Sequence, residues 1–170
     1  MKKRIWLLLL IVFASILLTG CALQTVDEMY ALPKRSKEYD SLQSAIDSAM
    51  YGLSYSAPVS GENQQTVQMA DLDGDGVEEY IVFAQGNSAN PLQVLIFRQE
   101  EDGTCRLMEV IQSNGSAFEQ VEYVQMDNAP GYELVVGRQL SDQVLRSVSV
   151  YSFSSGSAEQ LLSLIHISEP

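Results

Sequence analysis

An internal repeat with an offset of 54 residues limits what this chain can fold into more than any other feature of its sequence. At that offset, and without a gap, Glu79-Tyr80-Ile81-Val82 aligns with Glu133-Leu134-Val135-Val136. The residues around these segments align in the same way: Val67 with Val121, Asp73 with Asp127, and Val94, Ile96 and Phe97 with Val148, Val150 and Tyr151. The chain is therefore predicted to build one structural unit twice.

Each copy contains four segments in which apolar residues follow the two-residue period of a strand. These segments are residues 66–70, 79–84, 92–97 and 105–111, then 118–126, 132–138, 144–153 and 159–162. Four-stranded repeats of this size are typical of propeller blades. The sequence thus predicts a mostly β fold, with tandem four-stranded antiparallel blades over 66–112 and 118–161. Two blades cannot close a ring, so the propeller would be incomplete.

A short helix is predicted before the first repeat, over residues 38–52. Its apolar residues recur at helical spacing, namely Tyr39, Leu42, Ile46, Ala49 and Met50. Ser36 is a suitable N-cap, and Gly52 is suited to end the helix at C′. We expect this helix to cover the first sheet and to carry no chemistry.

The loop "DLDGDGVEE" at residues 71–79 is the strongest candidate for a functional site. Calcium takes six to eight oxygen ligands, and carboxylates on alternate residues of a tight loop supply them. The predicted ligands are the side chains of Asp71, Asp73, Asp75 and Glu79 and the carbonyl of Val77. Magnesium is less suited because it keeps several waters. The alternative is a solvated acidic turn without a metal.

This loop, followed directly by the strand "YIVF", resembles the calcium loop of FG-GAP/VCBS-type repeats in integrin-like β-propellers. The resemblance covers residues 66–161 and is strong in the first copy only. In the second copy, Gln125, Ala129 and Pro130 replace Asp71, Asp75 and Gly76. The resemblance therefore implies one Ca²⁺, bound in the first copy.

The N-terminus is predicted to be a lipoprotein signal peptide over residues 1–20. Lys2, Lys3 and Arg4 precede an apolar run that is too short for a comfortable membrane span. The run ends in Leu-Thr-Gly-Cys21, which resembles a bacterial lipobox. We expect cleavage before Cys21, acylation of that cysteine and a tether over 21–37, which would place the domain on the extracytoplasmic face of a bacterial membrane. An ordinary signal peptide or an uncleaved anchor helix is the alternative.

Charge narrows the classes of partner. The chain carries 10 basic and 22 acidic residues and a net charge of −12, which becomes −15 if Lys2, Lys3 and Arg4 are removed. Such a surface argues against nucleic acid and against electrostatic adhesion to anionic lipid. The partners expected are the membrane, through the lipid, and an unidentified protein or glycan.

The last nine residues, "LSLIHISEP" at 162–170, are predicted to be foreign to the protein. They resemble the translated start of a transposase adapter used in DNA library preparation. The natural chain would then be interrupted near Leu161, and His166, the only histidine, would not belong to it. The alternative is a native C-terminal strand.

A non-catalytic binding or structural module is the function favoured by these features. Outside the tail the sequence has no histidine and no Gly-x-Ser-x-Gly motif, and Cys105 has no residue placed to activate it. We therefore predict that the protein is not an enzyme. The alternatives are the non-catalytic N-terminal part of a surface hydrolase or of a solute-binding lipoprotein.

Overall fold

The computed structural model describes residues 36–140, 145–154 and 156–167. Within these ranges the chain forms one helix and nine strands. They are α1 (Lys37–Ala49), β1 (Ser54–Tyr55), β2 (Val67–Ala70), β3 (Glu79–Gln85), β4 (Leu92–Gln99), β5 (Cys105–Ser113), β6 (Ala117–Val124), β7 (Glu133–Gln139), β8 (Leu145–Ser152) and β9 (Glu159–Ile167). The prediction of a mostly β fold is confirmed.

The strands form two antiparallel sheets that follow chain order. The first sheet runs β2–β3–β4–β5, and the short β1 extends the β2 edge because both strands pair with β3. The second sheet runs β6–β7–β8–β9. All eight predicted strands are present. The sequence analysis missed β1, since two residues are too few for a periodic pattern.

Helix α1 begins as predicted, with the Ser36 side chain accepting a hydrogen bond from the Tyr39 N–H at 3.2 Å. It ends earlier than predicted, at Ala49 with Met50 as the C-cap. Gly52 lies two residues beyond the cap, at a φ of 77° that favours glycine. The predicted end at 52 was therefore wrong, because Gly52 shapes the turn after the helix rather than closing its last turn.

The first sheet is covered on both faces. One face packs against α1, where Ile46 lies among Val82, Ala84, Leu95 and Phe97. The opposite face packs against the second sheet, and the core between the two sheets contains, among others, Ile81, Phe83, Val94 and Ile96 from the first sheet and Phe118, Val121, Leu134 and Val136 from the second. The described domain thus has three layers, helix, sheet and sheet, and the expectation that α1 covers the first sheet is confirmed.

The two sheets contact each other through faces that are not equivalent in the repeat. Leu134 and Val136, which point from the second sheet into the shared core, correspond at the 54-residue offset to Tyr80 and Val82, which lie on the helix side of the first sheet. Val135 and Val148, on the other face of the second sheet, correspond to Ile81 and Val94 in the shared core. The two sheets are therefore stacked in one direction, head to tail.

Several sequence predictions concern residues outside or at the edge of the described ranges. Cys21, the signal peptide and residues 21–35 of the predicted tether lie outside them, whereas the last two tether residues, Ser36 and Lys37, form the N-cap and the first residue of α1. No helix in the described part of the chain is long and apolar enough to span a membrane. Residues 162–167 of the segment predicted to be foreign continue β9 and pair with β8. In this pairing Leu162 lies opposite Val150, and Ile167 lies opposite Leu145. The origin of that segment stays a prediction.

Candidate metal centre

The acidic loop connects β2 to β3, two antiparallel neighbours in the first sheet. It brings three of the predicted ligands together: one carboxylate oxygen from each of Asp71, Asp73 and Glu79 lies within 4.8 Å of the other two. Oxygens that bind one Ca²⁺ at about 2.3–2.6 Å can be at most about 5 Å apart. The spacing of these three oxygens is therefore compatible with a bound cation of this size.

Hydrogen bonds within the loop hold its aspartates in place. The two carboxylate oxygens of Asp71 accept from the N–H groups of Gly74 and Gly76, at 2.7 and 3.0 Å. Asp73 and Asp75 each accept from the N–H two residues further on, which is the Asx-turn pattern. The buried side chain of Leu72 packs into the core between the sheets and fixes the loop to that core.

Glu79 is the buried member of the cluster, with only 2% of its surface exposed. Its Oε2 accepts a hydrogen bond from the Leu72 N–H at 2.9 Å, which ties the end of the loop to its beginning. Burial raises the pKa of Glu79, and the nearby charges of Asp75 and Asp71 raise it further, against the opposing effect of the Leu72 hydrogen bond. A cation at this position would relieve both unfavourable effects.

Arg98 already places one positive charge in the cluster, and the sequence analysis did not identify it. Its Nε and Nη2 both donate to Glu79 Oε1 at 3.1 Å, and Nη2 also forms an ion pair with Asp73. The register of the β3–β4 hairpin explains the contact: Tyr80 pairs with Phe97, so the next residues outward, Glu79 and Arg98, come together. The sequence signal that could have identified Arg98 is its position as a single arginine directly after the apolar strand segment "LQVLIF".

The other two predicted ligands, Asp75 and Val77, belong to the exposed part of the loop. Asp75 is exposed and is not one of the three carboxylates that converge. The side chain of Val77 is half exposed, and its N–H donates to Asp75. Glu78 is exposed, as its alternation with Glu79 predicts. The carboxylates of Asp71, Asp73 and Glu79 therefore converge, and the assignment of Asp75 and of the Val77 carbonyl as further ligands stays a prediction.

The corresponding loop of the second copy keeps two of the hydrogen bonds and two of the four carboxylates. Glu133 is 4% exposed and accepts from the Met126 N–H at 2.8 Å, which repeats the bond between Glu79 and Leu72. Asp127 accepts from the Ala129 N–H, as Asp73 does from Asp75. At the position equivalent to Arg98 stands Ser152. The shared glutamate therefore has a structural role in both loops that does not depend on a metal.

The two loops contact each other across the interface between the sheets. The Tyr132 N–H donates to the Asp71 carbonyl at 3.0 Å. A Cβ added to Gly74 would lie 2.6 Å from the Gly131 nitrogen, so the backbones meet closely there. Beside this contact is a cavity of about 140 Å³ whose lining includes Asp73, Glu133 and Ser152. The second loop thus packs against the first loop and supports its backbone.

Comparisons of the chain with models of protein families, with curated proteins and with solved structures found no match.

Proposed function

We propose that the protein is a lipid-anchored, extracytoplasmic binding or structural module with propeller-type sheets, in which one Ca²⁺ stabilises the loop between β2 and β3. The observation that carries this proposal is the convergence of carboxylate oxygens from Asp71, Asp73 and Glu79 within 4.8 Å. Asp75, the Val77 carbonyl and water would complete the shell, since calcium tolerates flexible geometry with six to eight oxygens.

The role proposed for the ion is structural. Two carboxylates about 4 Å apart repel each other by roughly 4 kcal/mol at an effective dielectric constant of 20. An ion would neutralise that repulsion where Glu79 begins β3, two residues before the buried segment Ile81, Val82 and Phe83. It would therefore stabilise the strand that pairs with β1, β2 and β4.

The stacking of the two sheets supports the propeller part of the proposal. Successive blades of a propeller pack with the same face always toward the next blade. The two sheets here pack in that way, because the face of the second sheet that lies in the shared core is equivalent to the helix-side face of the first sheet. The outer face of the second sheet carries Val148, which is 39% exposed, at the position equivalent to the buried Val94. A further sheet of the same kind would cover that face, and a protein or glycan ligand would bind elsewhere on the surface.

Calcium titration of matched variants of the full chain tests the ion site. Calorimetry should show that the wild type binds one Ca²⁺. A free calcium concentration of 100 times the dissociation constant should raise its free energy of unfolding by about 2.7 kcal/mol. Asp71→Asn should abolish binding, whereas Glu78→Gln, an equal change of charge at an exposed neighbour, should not. Asp127→Ala should leave the stoichiometry at one. Two sites in the wild type, or none, would refute the assignment.

The lipid anchor has a separate test. Metabolic labelling with a clickable fatty acid should mark the wild type and not Cys21→Ser. Equal labelling of both proteins would remove the anchor from the proposal and leave the calcium site unaffected.

A further inference from the structure

We infer that Arg98 is an internal competitor for the calcium loop, so that its guanidinium must leave the carboxylates before a cation binds. This inference rests on the proposed calcium site and concerns its regulation. Arg98 contacts Asp73 and Glu79, two of the three carboxylates that converge in the loop. An ion bound to the same oxygens would compete with Arg98 for their lone pairs and would repel its positive charge.

The contact is built into the fold. Only 24% of the Arg98 side chain and 2% of the Glu79 side chain are exposed. Breaking a pair with a buried member leaves a buried charge without compensation, which is strongly unfavourable. Arg98 therefore stabilises the cation-free loop, and a cation that replaces it must compensate for the lost pair.

The second copy of the repeat provides an internal comparison. There the positions of Asp71 and Asp75 are Gln125 and Ala129, and the position of Arg98 is Ser152. The arginine is thus present in the copy that has the full set of carboxylates and absent from the copy that has lost half of it. This pattern fits a counter-ion that belongs to the acidic loop rather than to the sheet.

A displaced guanidinium has an acceptor nearby. Arg98 and Glu109 line one small cavity beside the loop, together with Phe153. The Glu109 carboxylate accepts from two backbone N–H groups, of Val110 at 3.2 Å and of Ala158 at 3.4 Å, and no arginine or lysine among the described residues balances its charge in an ion pair. The carboxylate of Glu109 can therefore receive the guanidinium when a cation occupies the loop.

Competition lowers the apparent affinity by the fraction of molecules in which the site is free of Arg98. If the guanidinium occupies the carboxylates in nine molecules out of ten, roughly a tenfold loss of affinity follows. The full chain should then bind calcium only at concentrations at which Arg98 can be displaced, and the loop would respond to the calcium concentration instead of holding the ion permanently.

The test compares Arg98→Gln with Arg106→Gln in the full chain. Both variants remove one positive charge, but Arg106 is exposed and pairs with Glu100 away from the loop. In calcium titrations with CaCl₂, Arg98→Gln should bind at least tenfold more tightly than the wild type, and Arg106→Gln should stay within twofold of it. Arg98→Lys, which keeps the charge without the planar guanidinium, should lie between the two.

A second measurement needs no substitution. The Arg98 Nε–H resonance of the wild type should shift as calcium is added, with the same midpoint as the calorimetric titration. Calcium binding with equal affinity in the wild type and Arg98→Gln, or an unchanged Nε–H resonance at saturation, would overturn the competition and leave the calcium site standing. Absence of calcium binding in both proteins would overturn the calcium site and the competition together.

Discussion

Phe83 and Phe118 meet edge to face between the two sheets, with ring centroids 5.1 Å apart and ring planes at 79°. Both rings are fully buried. Phe83 lies on β3, directly after the acidic loop, and Phe118 lies on β6, the first strand of the second copy. Edge-to-face pairs contribute about 0.5–1.5 kcal/mol beyond the burial of their area. The pair therefore connects the strand that follows the candidate metal site with the neighbouring sheet.

Truncation of this pair should be among the most destabilising substitutions in the domain. Phe118→Ala should lower the free energy of unfolding by about 3–5 kcal/mol, because it removes a buried ring and leaves a cavity. Urea denaturation followed by circular dichroism measures the change. Tyr51→Ala is the control, since Tyr51 is 94% exposed and should change stability by less than about 0.5 kcal/mol. Equal effects of the two substitutions would contradict the packing described.

Two glycines of the acidic loop should respond differently to the same substitution. Gly74 and Gly76 both have positive φ values, 78° and 88°, so alanine at either position costs about 1–2 kcal/mol of backbone strain. A Cβ at Gly74 would also lie within 3 Å of the backbone of Pro130 and Gly131, whereas a Cβ at Gly76 meets nothing within 4 Å. Gly74→Ala should therefore lower the thermal midpoint more than Gly76→Ala.

Calorimetry in the presence of a chelator isolates this packing effect, because calcium then contributes to neither variant. A thermal midpoint that falls equally in the two variants would mean that the second loop does not buttress the first.

The hydroxyl of Tyr123 should stabilise the contact between the sheets through one hydrogen bond. It donates to Gln68 Oε1 at 2.7 Å, and Gln68 is buried. Tyr123→Phe leaves that acceptor unsatisfied, so it should cost about 1–3 kcal/mol. Tyr55→Phe, at a half-exposed tyrosine of β1, is the matched control and should be neutral.

The same hydrogen bond predicts a dependence of stability on pH. Burial raises the pKa of Tyr123, so the folded state holds the phenolic proton to a higher pH than the unfolded chain does. The contribution is fully present below the unfolded-state value of about 10 and is lost as the pH rises above it. The difference between the wild type and Tyr123→Phe should therefore be constant from pH 6 to 9 and should shrink in more alkaline solution.

Cys105 should react slowly with alkylating reagents. Its side chain packs beside the apolar residues between α1 and the first sheet, and burial raises the pKa of its thiol. The thiolate is the reactive form, so at pH 8 iodoacetamide should modify the peptide containing Cys105 more slowly in the folded protein than in denaturant. Mass spectrometry of that peptide gives both rates. Faster modification in the folded state would contradict the raised pKa of the Cys105 thiol.

The strands, the start of the helix and the carboxylates of the loop follow from local sequence. A two-residue apolar period, an N-cap serine and aspartates on alternate residues act over a few residues, so each can be recognised without knowing the fold. The 54-residue repeat also indicated which elements of the two copies are equivalent. These signals predicted all eight longer strands and a ligand set of Asp71, Asp73, Asp75, Val77 and Glu79, of which the carboxylates of Asp71, Asp73 and Glu79 converge in the structure. They placed the helix end two residues beyond its C-cap, because Gly52 is compatible with either role.

Tertiary structure alone decided which groups meet around those carboxylates. Arg98 reaches Glu79 only because the β3–β4 hairpin has one register, and a shift of one residue would turn either side chain to the opposite face. Tyr132 reaches the Asp71 carbonyl only because the two sheets stack in one direction. Such contacts join residues 19 to 61 positions apart in the sequence, and no periodic pattern encodes them, since they depend on how whole sheets bury their apolar faces.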